Sequence, residues 1–432
     1  MRVFNILFYE FNHFRRSSAK VLTYLIFVFA CIYSIYSGFE LQNQQQTTIE
    51  TIKNEQKKEI LLVSKFFQNM SVLPGPLDVL GYIPTYATKH PSPLLPLGIG
   101  QSEQYGYYKK ITNWSSTYDN DMVEEIANPE RLVNGNIDFS FLIIFLLPIL
   151  LIIFTYNIRG FEQDMRFDKL IEIQYGSISK WILIRFIFYI TLLLLTVLCF
   201  MFFVVIVNDA FFSHISEIKS LIFLLLIYVL FFTTIFYFIV LKSYGSSAIA
   251  FKMISVWLIL CVIIPGTVHQ FASIIYPTHY MTDYLDSNRK ESYEIFDLPT
   301  DSLYVSLLSI YPDLSQTKHA KENNINNDYR RNALSAIINH MNKSAINNIE
   351  KQNELKNQLI CSSYWFNPVS FIQNKWNNYI NTDYYSYQEY RSEIQKILDT
   401  KLSLLNFESW NETEVTMVVY EDYLKQLNAF ME

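Results

Sequence analysis

The sequence predicts a mainly α, polytopic membrane protein with about five transmembrane helices and two largely helical extracytoplasmic domains. Three observations predict it. Charged residues make up 17% of the 432 residues, well under the roughly 25% of ordinary soluble domains. Those charges crowd into two polar blocks and avoid several long apolar runs. Lys and Arg flank the ends of those runs on alternating sides.

Crossing the hydrocarbon layer takes about 20 mostly apolar residues at a helical rise of about 1.5 Å each. Five stretches meet that length: 21–39, 138–156, 181–207, 220–241 and 247–271. The third is uncharged from Ile190 to Val207, and a buried soluble helix rarely stays apolar on every face for that distance. Tyr33, Tyr36 and Phe39 close the first stretch as an interfacial aromatic belt would.

Orientation follows from the basic flanks. Arg2, Arg15, Arg16 and Lys20 precede the first stretch; Arg159, Arg166, Lys169 and Lys180 lie between the second and third; Lys242 and Lys252 flank the short turn after the fourth. The short loop Asn208–Lys219 carries Asp209 and Glu217 with one lysine. The positive-inside rule then puts the N-terminus in the cytoplasm and the blocks 40–137 and 272–432, with the C-terminus, outside it.

Two elements are expected on the cytoplasmic side. In residues 1–20, Phe4, Leu7, Phe8, Phe11 and Phe14 recur at helical spacing, with Arg2, Asn5, Asn12, Arg15 and Arg16 on other faces. This pattern suits an amphipathic helix lying in the membrane interface; the plainer reading is an extension of the first span. The loop 157–180 is the one sizeable cytoplasmic loop, and Phe161, Met165, Asp168 and Leu170 through Ile173 fit a short helix in it. Gly176 suits its C-terminal cap, and Ser177 or Ser179 the N-cap of the next helix. A compact amphipathic helix between two spans is something a cytoplasmic motor protein can grip; an ordinary connection is the bland alternative.

In the first outer block, Ile49, Ile52, Ile60, Val63, Phe66 and Phe67 recur helically, and the Pro-rich run from Pro74 to Pro96 is expected to be loop. In the second, stripes over Asp328–Ile360 and Tyr385–Leu405 predict two helices packed as an antiparallel hairpin.

Signs of enzymatic chemistry are missing. No GxxxxGK[ST], HExxH or GxSxG occurs, so the chain itself is expected to be neither an ATPase nor a hydrolase, with no catalytic, cofactor or metal-ligand residues. The spacings of His214, His269 and His279 match no ligand pattern, and the acidic run Asp119–Glu125 lacks the glycine of an EF-hand loop. Cys31, Cys199, Cys261 and Cys361 form no close pair. A net charge of −6 advertises no nucleic-acid surface.

The run beginning Ala127-Asn-Pro-Glu-Arg-Leu-Val-Asn-Gly-Asn-Ile-Asp-Phe, continuing through Leu-Leu-Pro148 to Tyr156-Asn and then Phe161-Glu-Gln-Asp, resembles the bacterial ABC-2-type transporter permease family. The segments Tyr105-Gly-Tyr-Tyr, Asn367-Pro-Val-Ser-Phe and Thr382-Asp-Tyr look similar to it too, and the likeness is most specific over 127–164. The resemblance implies a permease in the bacterial inner (plasma) membrane, working with a separate cytoplasmic ABC ATPase that holds the ATP and Mg²⁺. It also implies a second permease subunit, in a homo- or heterodimer, and a coupling helix within 161–176. The expected ATPase contact is Phe161, Glu162, Asp164, Arg166, Asp168, Lys169 and Leu170. Two features depart from the family: many relatives carry an EKE.GTL run where this chain has Glu162-Gln-Asp-Met-Arg-Phe-Asp-Lys-Leu, and relatives commonly have six spans, whereas the tail from Glu412 is too charged for one. The alternative expectation is a membrane-anchored envelope scaffold or sensor without transport.

Overall fold

The structure is a computed structural model, and it describes residues 2–68, 73–118, 137–277, 293–322 and 327–428. The acidic run Asp119–Glu125, the segment 127–136 and His279 lie outside the described residues. The chain is mainly helical, with five helices long and apolar enough to cross a membrane.

Helix α1 (Arg2–Arg16) ends one residue before α2 (Ser18–Gln68). The helix that carries the first span therefore does not stop near residue 39. It continues as one helix through the stretch 40–68, because the Gln- and Lys-rich run after Phe39 contains neither proline nor glycine to end it. At about 1.5 Å per residue, 51 residues reach about 75 Å, more than twice the thickness of a hydrocarbon layer.

The other spans are α4 (Phe139–Asp164), α6 (Ile178–Val207), α7 (Ile215–Lys242) and α8 (Ser246–Ile275), with the short helix α5 (Asp168–Tyr175) between α4 and α6. Helix α4 is the axis of the bundle: 67% of its most apolar window is buried, against 17% for the peripheral α8. Large apolar side chains such as Leu195, Ile206, Leu230 and Phe251 cover the outside of the bundle, as hydrocarbon contact requires.

Two spans are interrupted by π-helical turns, Leu142–Leu146 and Ile259–Ile263, each just before a proline, Pro148 and Pro265. Pro148 has no N–H to offer Ile144, four residues earlier. The Tyr228 hydroxyl of α7 donates to that carbonyl instead, and Trp257 Nε1 of α8 donates to Phe145 O at 3.1 Å. The backbone irregularity is thus satisfied by neighbouring spans, the condition for tolerating it at membrane depth.

The end of the bundle carrying α1 and α5 is called basal here, and the other end distal. The polar residues at the distal end form α3 (Pro76–Leu80), β1 (Tyr86–Thr88), β2 (Tyr108–Lys110), α9 (Thr300–Ile310), α10 (Lys318–Glu322), α11 (Asn327–Ser362), α12 (Pro368–Ile380), α13 (Tyr384–Trp410) and α14 (Met417–Asn428). The Pro-rich run expected to be loop thus holds a short helix and a strand, with β1 antiparallel to β2 and Ala87 opposite Lys109. Helices α11 and α13 pack antiparallel: Asn339 and Lys343 meet Asp399, while Glu350 meets Arg391. Helix α12, between them in sequence, is too short to span and instead seats on the distal end of the bundle. Its Val369, Ile372, Trp376 and Ile380 join the core formed by the spans, and Trp376 Nε1 donates to Leu97 O at 2.9 Å.

A polar clasp fixes this seat. The buried Asp138 caps α4 by accepting from Phe141 N at 2.7 Å, and it also accepts from Ile99 N at 3.0 Å. Gln101 N in turn donates to Thr382 O at 2.9 Å. Gly100, at φ 53°, lies so close to Thr382 that a Cβ would come within 2.6 Å of its carbonyl oxygen. No side chain fits there.

Candidate functional site

The basal end gathers every basic flank that suggested orientation, and with them a buried charge cluster. Arg185, on the third span, is 4% exposed. Its Nε donates to Glu10 of α1, and its Nη1 donates to Glu162 Oε1 of α4 at 2.6 Å and to Ile158 O at 2.8 Å. Trp181 Nε1 adds a bond to Glu162 at 2.9 Å, and the Tyr189 hydroxyl donates to Glu10. Lys20 Nζ reaches Tyr189 Oη at 2.7 Å and Phe154 O at 2.9 Å. Two carboxylates thus face one guanidinium and one ammonium, and the cluster is charge-balanced. An arginine one to two turns inside a span can snorkel to water, but Arg185 is held inside by two acids. At Glu10, burial raises the pKa, but the charge and hydrogen bonds of Arg185 outweigh it and hold the carboxyl below its ordinary range.

Helix α1 turns Ile6 and Glu10 into the protein while Phe4, Phe8 and Phe11 stay exposed on its other side. These three phenylalanines point away from the bundle, and the helix docks through Ile6, Glu10 and Phe14, whose ring packs against Phe154 and Tyr189.

The end of α4 touches every neighbouring span. Arg159 Nη1 donates to Val240 O at 3.2 Å and to Leu241 O, capping the C-terminus of α7. Gln163 Oε1 accepts from Gly245 N at 3.0 Å, and Asp164 accepts from the Ser246 hydroxyl and from Ser246 N at 3.4 Å, capping the N-terminus of α8. Gly160 permits this approach: a Cβ there would lie 2.5 Å from Ser246 Cα. Residues 158–164 therefore tie α1, α6, α7 and α8 together.

A tight turn follows, with Arg166 at φ 60° and Phe167 N bonded to Glu162 O at 2.7 Å, and α5 leaves the bundle. Gly176, at φ 79°, ends α5, and the Ser177 hydroxyl accepts from Lys180 N to start α6, the caps anticipated at those positions. Leu170 is 62% and Ile173 84% exposed, and Phe161, Met165 and Phe167 are exposed beside them.

Of the residues singled out for partner contact, Phe161, Asp164, Arg166, Lys169 and Leu170 lie on the surface. Glu162 does not: it is buried against Arg185 and Trp181. Asp168 is the first residue of α5, and its side chain lies outside the description. Glu10 and Ile173 were missed. The signal for Ile173 was its place three residues after Leu170 on one helix face; for Glu10 it was a lone acid within an otherwise basic, aromatic helix.

The fold and this site define a class: a polytopic, mainly helical chain with five apolar spans, whose basal loop is tied to four helices and exposes an apolar surface. Comparison with protein-family models, with curated proteins and with solved structures returns no match to the chain. Among the described residues, no group of three or more His, Cys, Asp or Glu is placed to hold a metal ion.

Proposed function

We propose that the chain is the transmembrane permease subunit of an ABC-type (ABC-2-like) transporter, with its basal end in the cytoplasm. ATP would be bound and hydrolysed by a separate ATPase subunit, and a second permease subunit would complete the transport unit. One observation carries the reading: the exposed apolar side chains of α5 and its flanks adjoin the end of α4, whose polar groups bond α6, α7 and α8 and reach α1 through Arg185. A partner that pulls on Leu170 and Ile173 pulls on the whole bundle. Such a partner drives a transition only if it binds two arrangements of the spans unequally, and rigid-body motion is the economical one for helices tied so closely. The gathering of Arg2, Arg15, Arg16, Arg159, Arg166, Lys169, Lys180 and Lys242 at the basal end supports its cytoplasmic placement.

The test is affinity purification of the chain in mild detergent from cells that also express its neighbouring genes. The wild-type chain should bring down a P-loop ATPase. Leu170→Asp combined with Ile173→Asp should reduce that yield by about tenfold or more while leaving the thermal midpoint unchanged, because neither side chain packs inside the molecule. Should no nucleotide-binding protein accompany the wild-type chain, the envelope-scaffold reading replaces transport.

A further inference from the structure

At the distal end, a cavity of about 380 Å³ opens between the tip of α8 and helices α11, α12 and α13, within the size range of small-ligand sites. His269, Lys356, Lys375, Gln101, Asn377 and Tyr385 are among its lining. Among the described residues, Lys356 and Lys375 have no carboxylate partner within salt-bridge distance. The acid on the wall, Asp383, is already engaged, capping α13 through Ser386 N at 3.3 Å and accepting from Asn378 Nδ2 at 3.0 Å. Gln101 Oε1 and Asn377 Oδ1 are buried and receive no hydrogen bond. The cavity thus offers cations lacking an anion.

The cavity also continues toward the apolar zone. Val262, Pro265 and Gly266 lie seven, four and three residues before His269, on the same face of α8. Val262 is 47% exposed, and a Cβ built on Gly266 would meet nothing within 4 Å. A path of open apolar surface therefore runs from the polar cavity along the fifth span.

We infer that this cavity binds the head group of an anionic phospholipid, of the phosphatidylglycerol kind, with an acyl chain lying along Val262 and Gly266. The phosphate meets Lys356 and His269. Burial lowers the Lys356 pKa, and a bound phosphate relieves that cost by supplying the missing countercharge. The inference stands on the cavity alone and does not depend on an ATPase partner.

The experiment uses the full chain purified in detergent, with bound lipid counted by native mass spectrometry. Phosphatidylglycerol, phosphatidylcholine and soluble glycerol 3-phosphate are the probes. The wild-type chain should retain phosphatidylglycerol about tenfold better than phosphatidylcholine. Lys356→Ala should remove most of that preference and Lys356→Arg should keep it. Gly266→Leu, which meets no neighbour, should weaken lipid retention severalfold by blocking the chain path, and it keeps the test open if the lysine variant fails to fold. Equal retention of the two lipids, or an unchanged preference in Lys356→Ala, overturns the inference. So does displacement of the lipid by glycerol 3-phosphate at matching concentration, which would make this a soluble-phosphate site.

Discussion

Arg185 at the basal end and Arg391 at the distal end are equally sealed, each with 4% of its side chain exposed, yet they are neutralised in different ways. Arg185 faces two acids drawn from two other helices, and one of them, Glu10, lies 175 residues away in sequence. Arg391 pairs with Glu350 at 3.1 Å inside a cage of tyrosines: its guanidinium sits 5.1 Å from the ring centre of Tyr105, 5.3 Å from Tyr118 and 5.4 Å from Tyr384. Tyr118 also donates to Glu350 at 2.6 Å, as does Tyr384. Lys401 extends the series. It is a buried cation with no acid at all, held by Ile111 O at 3.1 Å, Ile83 O at 3.2 Å and the Thr85 hydroxyl at 3.4 Å. Both arginine pairs join separate helices, but the basal cation answers two carboxylates, whereas the distal cations lean on tyrosine rings and on carbonyl and hydroxyl oxygens. The basal device makes one helix sensitive to the position of another.

Removing the cations tests that contrast. Arg185→Met strands two buried carboxylates and should cost about 3–5 kcal/mol, read as a lowered thermal midpoint and poor recovery from detergent. Adding Glu10→Gln and Glu162→Gln should restore much of the loss; a triple variant no better than the single one would show that packing, not charge, holds this end.

Lys401 gives a pH signature. Burial pushes its ammonium down to about 8 from an ordinary 10.5. Between these values the unfolded chain holds more of the proton, so stability should rise as pH climbs from 8 to 10.5, by up to about 3 kcal/mol at about 1.4 kcal/mol per unit. Thermal scans across that window should show a steeper rise in the wild type than in Lys401→Met. A shared slope would place the titration elsewhere.

Arg391→Met should cost less than Arg185→Met, about 1–3 kcal/mol, because Glu350 keeps two tyrosine donors and 16% exposure. Chemical denaturation of both variants side by side decides the order, and equal losses would remove the distinction between the two ends. The smallest effect is expected at Tyr228→Phe, which takes the donor from Ile144 O beside Pro148 and should cost about 1 kcal/mol.

The spans were legible because charge-free runs of the right length have few other uses, and the caps at Gly176 and Ser177 because both act within one turn of their own positions. Long-range pairings were not legible. Nothing local to Arg185 reveals that Glu10 turns inward to meet it, so a snorkelling arginine was the natural expectation. The length of α2 was hidden because a change from apolar to polar composition at Phe39 resembles a domain boundary, although the backbone has no reason to break there. Helix α12 escaped notice as part of the bundle because 13 residues cannot span, and seating on the end of other spans leaves no compositional mark. At the candidate site, the exposed face of α5 followed from its periodicity, but the burial of Glu162 depended on α6 and could not be read from its own segment.

The central claim is that the two ends face different partners, with a motor protein at α5. A photo-crosslinking residue placed at Ile173, and in a second chain at Trp365, both of them exposed, tests this in intact cells. Position 173 should capture a nucleotide-binding protein, and position 365 should capture lipid or envelope components and never that protein. If position 173 is reached only by reagents outside the cell, or captures no nucleotide-binding protein, the permease account is wrong.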